Sequence, residues 1–430
     1  VNVTLLLVGL VVFAFFVGQV LNRYISRYVA FSGAEYLLVG ALIGPQLPPR
    51  LVTADSLQLL VPLMSLLLGL TGFLVGLRAR HSFGGWKYTA VGSLNALGTL
   101  VVVALACTTL TVALGLGGHS AAAIEQRLVQ WGEWVLEIHA SPEQILLGGA
   151  LAAAAAVATS GLVISIGESL NARSETFKLL RTAALISQLL AIATIGVVLA
   201  VVRSESGYFI RALGGWGWVL GAMGLGLVCG VCFTLFIGHE KSTSRIFLAT
   251  VGTVTFAAGV GSALGVSPLF VNLVAGMVVG GLSRHENVLR KELDRLQHPI
   301  FVLLLILTGA MWTPVSGSLW LFPLVYLVVR LLAGRVLLHL LTKALTAINP
   351  ERIGTGLLAQ GTLAVAVAVD YSLQVPEHAP VVLTTVLIGT LASDMAAGGV
   401  VRRLLVDAEA DNIDLGSELG RRPVQREAGL

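Results

Sequence analysis

Charge is what this chain most lacks. Only 12% of its 430 residues are Asp, Glu, Lys or Arg, against about a quarter in soluble domains. With 56% hydrophobic residues and a mean hydropathy of +0.88, the composition excludes an ordinary soluble domain and describes a polytopic membrane protein. Cysteine is scarce too. Cys107, Cys229 and Cys232 all fall in apolar stretches, which points to packing, and Cys229-x-x-Cys232 lacks the strand and helix context of a redox motif. No His, Cys and carboxylate residues gather at metal-ligand spacing, and no Ser, His and Asp arrangement suggests a hydrolase. Gly259-Val-Gly-Ser-Ala-Leu-Gly265 lies in an apolar run with no strand before it, so it fails as a nucleotide fingerprint. These absences predict a protein that is not an enzyme, with no cofactor, no metal and no nucleic-acid partner.

What is present is a series of apolar runs, each compared with the roughly 18 residues needed to cross about 30 Å of hydrocarbon. They fall at 3–22, 34–47, 57–79, 88–116, 143–167, 178–202, 214–238, 246–264, 266–283, 299–314, 317–345, 353–374 and 379–401. Residues 3–22 read as a retained first span, not a cleavable signal peptide. Sorting the basic residues by alternate connections leaves only Arg50, Arg127, Arg203 and Arg211 on one set. Apart from Arg330 and Arg335, the rest, from Arg23 and Arg27 through Arg402 and Arg403, fall on the other or at its edges. By the positive-inside rule this predicts thirteen spans with the N-terminus outside and the C-terminus in the cytoplasm. Residues 1–403 form the transmembrane domain and 404–430 a short flexible cytoplasmic tail. Between spans, 120–140 read as an external amphipathic helix anchored by Trp131 and Trp134, and 284–298 as an internal surface helix.

Two spans are interrupted. Span five carries Ala158-Thr159-Ser160-Gly161, and span twelve carries Gln360-Gly361-Thr362. Alone, each reads equally as helix-packing residues. Together, paired interruptions in two halves point to a binding site made of discontinuous helices, whose freed backbone groups lipid cannot satisfy.

The chain resembles the monovalent cation:proton antiporter superfamily, its Kef-type and sodium/proton exchanger branch in particular. Five stretches carry the likeness: Tyr36-Leu-Leu-Val-Gly-Ala-Leu-Ile-Gly-Pro45, Gly72-Phe-Leu-Val-Gly-Leu77, Ala158-Thr-Ser160, Leu269-Phe-Val-Asn-Leu-Val-Ala-Gly276 and Gly356-Leu-Leu-Ala-Gln-Gly361. The resemblance implies an all-α fold of about thirteen transmembrane helices, with two inverted repeats and crossing discontinuous helices. It also implies a core domain that moves like an elevator against a dimerisation domain. Thr159, Ser160, Gln360 and Gly361 would then line the transport site, with Gln188 and Leu189 beside them. Leu189 is the departure, because the family carries there the acid that exchanges a proton for sodium or potassium. Gln188 hydrogen-bonds but does not titrate.

Three carboxylates remain within the spans: Glu35, Asp370 and Asp394. Glu35 reads as a solvated helix cap, and Asp370 as reaching the outer interface. Asp394, about 12 Å of helix rise before Arg402, has two readings: a structural ion pair, or a transport role inherited from the missing acid. Arg330 and Arg335 are the basic residues placed within spans, aside from span ends. They are five apart, so only one is expected to face the core, with Asp394 as a candidate partner. Asn95, Asn272 and His339 complete the buried polar candidates, Asn272 as a core-lining support.

The expectation is a secondary transporter exchanging potassium or sodium for protons. The alternative is an antiporter-fold subunit that lacks the site aspartate and serves as a structural or sensory component or a passive pathway. Expected partners are a monovalent cation, the proton, the lipid bilayer, a second copy in a homodimer and a separate regulatory subunit. A prokaryotic inner membrane is the expected location.

Overall fold

The computed structural model describes residues 33–46, 54–79, 85–114, 141–172, 174–206, 214–237, 240, 242–283, 286–346, 348 and 353–420. The expected first span at 3–22 and the expected helix at 120–140 lie outside them. Among the described residues every regular element is helical: α1 (Ala34–Ile43), α2 (Ala54–Leu59), α3 (Val61–Arg78), α4 (Trp86–Ala113), α5 (Pro142–Ala156), α6 (Ser160–Ser169) and α7 (Glu175–Ser206). There follow α8 (Gly214–Ile237), α9 (Thr243–Leu264), α10 (Pro268–Leu282), α11 (Glu286–Met311), α12 (Leu321–Leu345), α13 (Gly361–Gln374) and α14 (Ala379–Gly420). Nine described segments are long and apolar enough to cross a membrane, with α5 and α6 counted together.

Local chemistry sets many of the ends. Ser141 opens α5 with a capping box: its Oγ accepts from the Gln144 amide while Gln144 Oε1 accepts from the Ser141 amide, and Pro142 follows in the first turn. Ser267 caps α10 by accepting from the Phe270 amide, ahead of Pro268. Gly265, at φ 72°, turns the chain between α9 and α10.

Two expectations change here. Residues 284–298 do not form a separate surface helix: Glu286–Met311 is one helix with Pro299 inside it, and Leu289 and Leu293 are buried. Arg78 at the end of α3 binds both Asp294 and Gln297, which ties the polar half of α11 to the bundle. The last helix likewise runs past 401, since α14 continues to Gly420 through much of the stretch expected to be a flexible tail.

The helices sort into inner and outer sets. The membrane-length windows of α3, α5 with α6, α7 and α14 are 61–67% buried, whereas those of α4, α8 and α12 are 28% buried. Leu220, Phe236, Leu332 and Val336 point outward from α8 and α12. Trp86, Trp216 and Trp320 stand exposed at helix starts, as interfacial anchors do. Inside, α3 and α10 approach backbone to backbone. A Cβ on Gly72 would lie 2.1 Å from the Leu269 carbonyl oxygen, and one on Gly276 would lie 2.3 Å from that of Phe73. Such contact is the main source of helix association in lipid, where burial of apolar area gives no advantage over the hydrocarbon. Asn272, fully buried, sits in this seam and donates to the Pro268 carbonyl of its own helix.

The candidate transport site

Helix α5 stops at Ala156, and α6 starts only at Ser160, with Val157 and Thr159 in extended conformation between them. A second gap precedes α13, whose first residue Gly361 has φ 66°. The two gaps touch. The Thr159 amide donates to the Ala359 carbonyl at 2.8 Å, so the breaks cross and bond to each other through backbone. Gly361 is required there, because a Cβ in its place would lie 3.0 Å from both Cβ and Oγ1 of Thr159 and would force a left-handed backbone on a side chain.

Breaking a helix in lipid frees polar backbone groups, and each left bare costs several kcal/mol. Around the first break the side chains of three residues meet this demand. Arg330 Nε donates to the Ala155 carbonyl at 3.0 Å and Nη2 to that of Val157 at 3.2 Å. Gln188 Nε2 donates to the Ala158 carbonyl at 3.0 Å and to Ser160 Oγ at 3.2 Å. Ser187 Oγ accepts from the Ala158 amide at 3.0 Å and donates to Ala184. At the second break Asp394 serves the amides: Oδ1 accepts from Gln360 at 2.8 Å, and both oxygens accept from Gly361 at 3.2 and 3.1 Å. Gln360 Nε2 donates to the Ala154 carbonyl at 3.0 Å and to the Tyr326 hydroxyl at 2.6 Å, stitching α13 to α5 and α12.

The charges follow the helix dipoles. The guanidinium of Arg330 stands at the carbonyl-bearing end of α5, and the carboxylate of Asp394 at the amide-bearing end of α13. Both residues are buried, 5% and 6% exposed. Arg330 touches carbonyls directly, and the Asp394 charge lies within electrostatic reach of it. Beside Asp394 is a cavity of ≈ 10 Å³ that Thr362 and Thr390 also line. The Thr390 hydroxyl is buried there without a hydrogen-bond partner.

Thr159, Ser160, Gln188, Gln360, Gly361, Asp394 and Arg330 thus converge. Leu189 packs, partly buried, against the apolar core. Arg335 is exposed, as expected of one member of the Arg330 pair, and Asn272 belongs to the α3–α10 seam. Asp370 corrects its reading: it is 1% exposed, accepts a hydrogen bond from Ser267 and does not reach an interface. Glu35 is partly exposed in the first turn of α1, in keeping with a helix cap, with Oε2 shielded from solvent. Sequence reasoning missed Tyr326 and Ser187. Tyr326 precedes Arg330 by one turn on the same face, and Ser187 adjoins Gln188, which were the available signals.

Residues 84–406 match the family described as sodium/hydrogen exchanger, transmembrane. Two solved structures of the sodium proton antiporter MjNhaP1 from Methanocaldococcus jannaschii share the fold. One, at pH 8, has a TM-score of 0.62 at 16% identity and covers 94% of this chain and 99% of that chain. The other, from electron microscopy, has a TM-score of 0.60 at 16% identity and covers 97% of this chain and 99% of that chain. Compared by sequence with curated proteins, the chain has no match. The family match spans well over half of the chain and takes in both breaks, Arg330 and Asp394. The chain therefore belongs to the transmembrane sodium/hydrogen exchanger family, within the monovalent cation:proton antiporter superfamily.

Proposed function

We propose that this protein exchanges a monovalent cation, sodium or potassium, for protons by elevator-type alternating access, with Asp394 as the exchanging carboxylate in place of the acid that position 189 lacks. The observation that carries this reading is the position of the Asp394 carboxylate at the crossing of the two breaks, beside a cavity that the hydroxyl-bearing Thr362 and Thr390 also line. A dehydrated alkali cation needs oxygen ligands, and one carboxylate with two hydroxyls supplies them. A proton on Asp394 neutralises the same charge. Coupling follows, because a core carrying a bare carboxylate meets a large desolvation penalty on moving, whereas the cation-loaded or protonated core does not. Inverted repeats, a homodimeric scaffold, a cytoplasmic C-terminus, a prokaryotic inner membrane and a regulatory partner belong to the same reading.

Asp394→Asn tests it. Asn keeps the volume and an acceptor for the Gly361 amide but does not titrate. Proton flux driven by a sodium or potassium gradient in liposomes is expected to disappear, while the variant still folds. A variant that keeps its flux and pH profile would assign Asp394 to holding the break.

A second reading rests on a different observation. No carboxylate serves the first break: Arg330 holds the carbonyls of Ala155 and Val157, Gln188 is engaged by Ala158 and Ser160, and Leu189 packs against the core. That arrangement suits a structural or sensory subunit, or a passive pathway. Absence of gradient-driven proton flux in the unmodified protein would favour it.

A further inference from the structure

A second cavity, ≈ 30 Å³, lies between α4, the end of α5 and α12, lined by Asn95, Thr99, Ser187, Arg330 and Arg335 among others. Two of its walls are unsatisfied. Asn95 and Thr99 are 6% and 4% exposed, and Asn95 Oδ1 and Thr99 Oγ1 have no hydrogen-bond partner. They are four apart on α4 and share a face. A guanidinium carries five N–H donors, and Arg330 directs Nε and Nη2 to the carbonyls of Ala155 and Val157, which leaves donors over.

The chemistry selects the sign of the occupant. Three carbonyls at the break are taken, those of Ala155 and Val157 by Arg330 and that of Ala158 by Gln188. No carboxylate lines the cavity, whereas two arginines do. Asp394 offsets one of these positive charges, and its oxygens accept from Gln360 and Gly361. Water would satisfy the hydroxyl and the amide but would leave two guanidiniums beside the cavity against one carboxylate. A small anion meets the excess positive charge and accepts from the Thr99 hydroxyl and, with the Asn95 amide turned to point its nitrogen inward, from Asn95 as well. Size narrows the class further, since a cavity needs about 10–15 Å³ for one water, so this one takes a single small ion and no organic solute.

We propose that this cavity binds a small monovalent anion of the chloride class, held by the free donors of Arg330, the Asn95 amide and the Thr99 hydroxyl, with Arg335 adding positive charge at its exposed edge. The proposal stands apart from the exchange reading, because binding is measured without transport. Thermal unfolding of the purified full chain in detergent is followed as sodium chloride replaces sodium gluconate at constant sodium concentration, with nitrate and sulfate as parallel arms. The expected result is a saturable rise in Tm with chloride and nitrate, and none with gluconate or sulfate. Thr99→Val, which is isosteric, and Asn95→Leu should shift the chloride midpoint to about tenfold higher concentration or more, as loss of a hydrogen bond to a charged group does. Absence of a saturable rise, or an equal rise with gluconate and sulfate, means that water fills the cavity and overturns the proposal. So does an unchanged midpoint in Thr99→Val, which keeps Arg330 and the fold whatever becomes of Asn95→Leu.

Discussion

Leu189 follows Gln188, whose amide closes the first break, yet its own side chain joins the apolar core. An acid in that place would be costly to bury by several kcal/mol unless a cation or a proton neutralised it. The Ser160 hydroxyl, beside Gln188, offers a cation some compensation. Leu189→Asp is therefore expected to create or raise cation-dependent proton flux in liposomes, with a bell-shaped pH dependence. A folded variant without flux would mean that the neighbourhood has repacked around leucine, and the structural or sensory reading becomes the better one. The same measurement on Leu189→Asn separates charge from polarity, since Asn should leave flux at the level of the unmodified protein.

At the scale of elements, the crossing of α5–α6 with α13 depends on a left-handed glycine. Gly361→Ala places a side chain at φ 66° and 3.0 Å from Thr159, at a cost of about 1–3 kcal/mol. Gly252 is the matched control. It lies within α9, and a Cβ there meets nothing within 4 Å, so Gly252→Ala should be neutral or stabilising by up to about 1 kcal/mol. Chemical or thermal unfolding of the two variants side by side checks both values. Equal stabilities would show that the second break relaxes without disturbing α5. The α3–α10 seam differs in kind, because there glycine serves close approach within helices and not a turn.

Among the described residues, α4, α8 and α12 present most of their surface outward, and Arg330, Gln188, Gln360 and Asp394 gather where the two breaks cross. A moving core needs something to move against, and the family resemblance supplies a second copy as the expected anchor. A homodimer is therefore predicted in mild detergent, measured by native mass spectrometry or by light scattering corrected for detergent. A monomeric mass, together with transport that persists when liposomes hold fewer than about one copy each, would count against it. High dilution matters because oligomer stability follows concentration by mass action.

Composition alone determined that this is a helical membrane protein, since a chain so poor in charge and so rich in long apolar runs has no other stable solvent. The interruptions at Ala158-Thr159-Ser160 and Gln360-Gly361 were equally legible, because glycine and hydroxyl residues break an apolar run visibly. Leu189 was conspicuous once the family resemblance supplied the expected acid. What only the tertiary structure decided was who faces whom. Asp394 reaches the amides of Gln360 and Gly361 from more than thirty residues away, Arg330 reaches carbonyls of α5, and Asp370 finds Ser267 in the interior and not water. In water an amphipathic pattern would have marked those inward faces. In lipid both faces of a helix are apolar, so hydrophobic periodicity carries little information about which side is buried in protein. Those choices are settled by close packing and by the need of each freed backbone group for a partner.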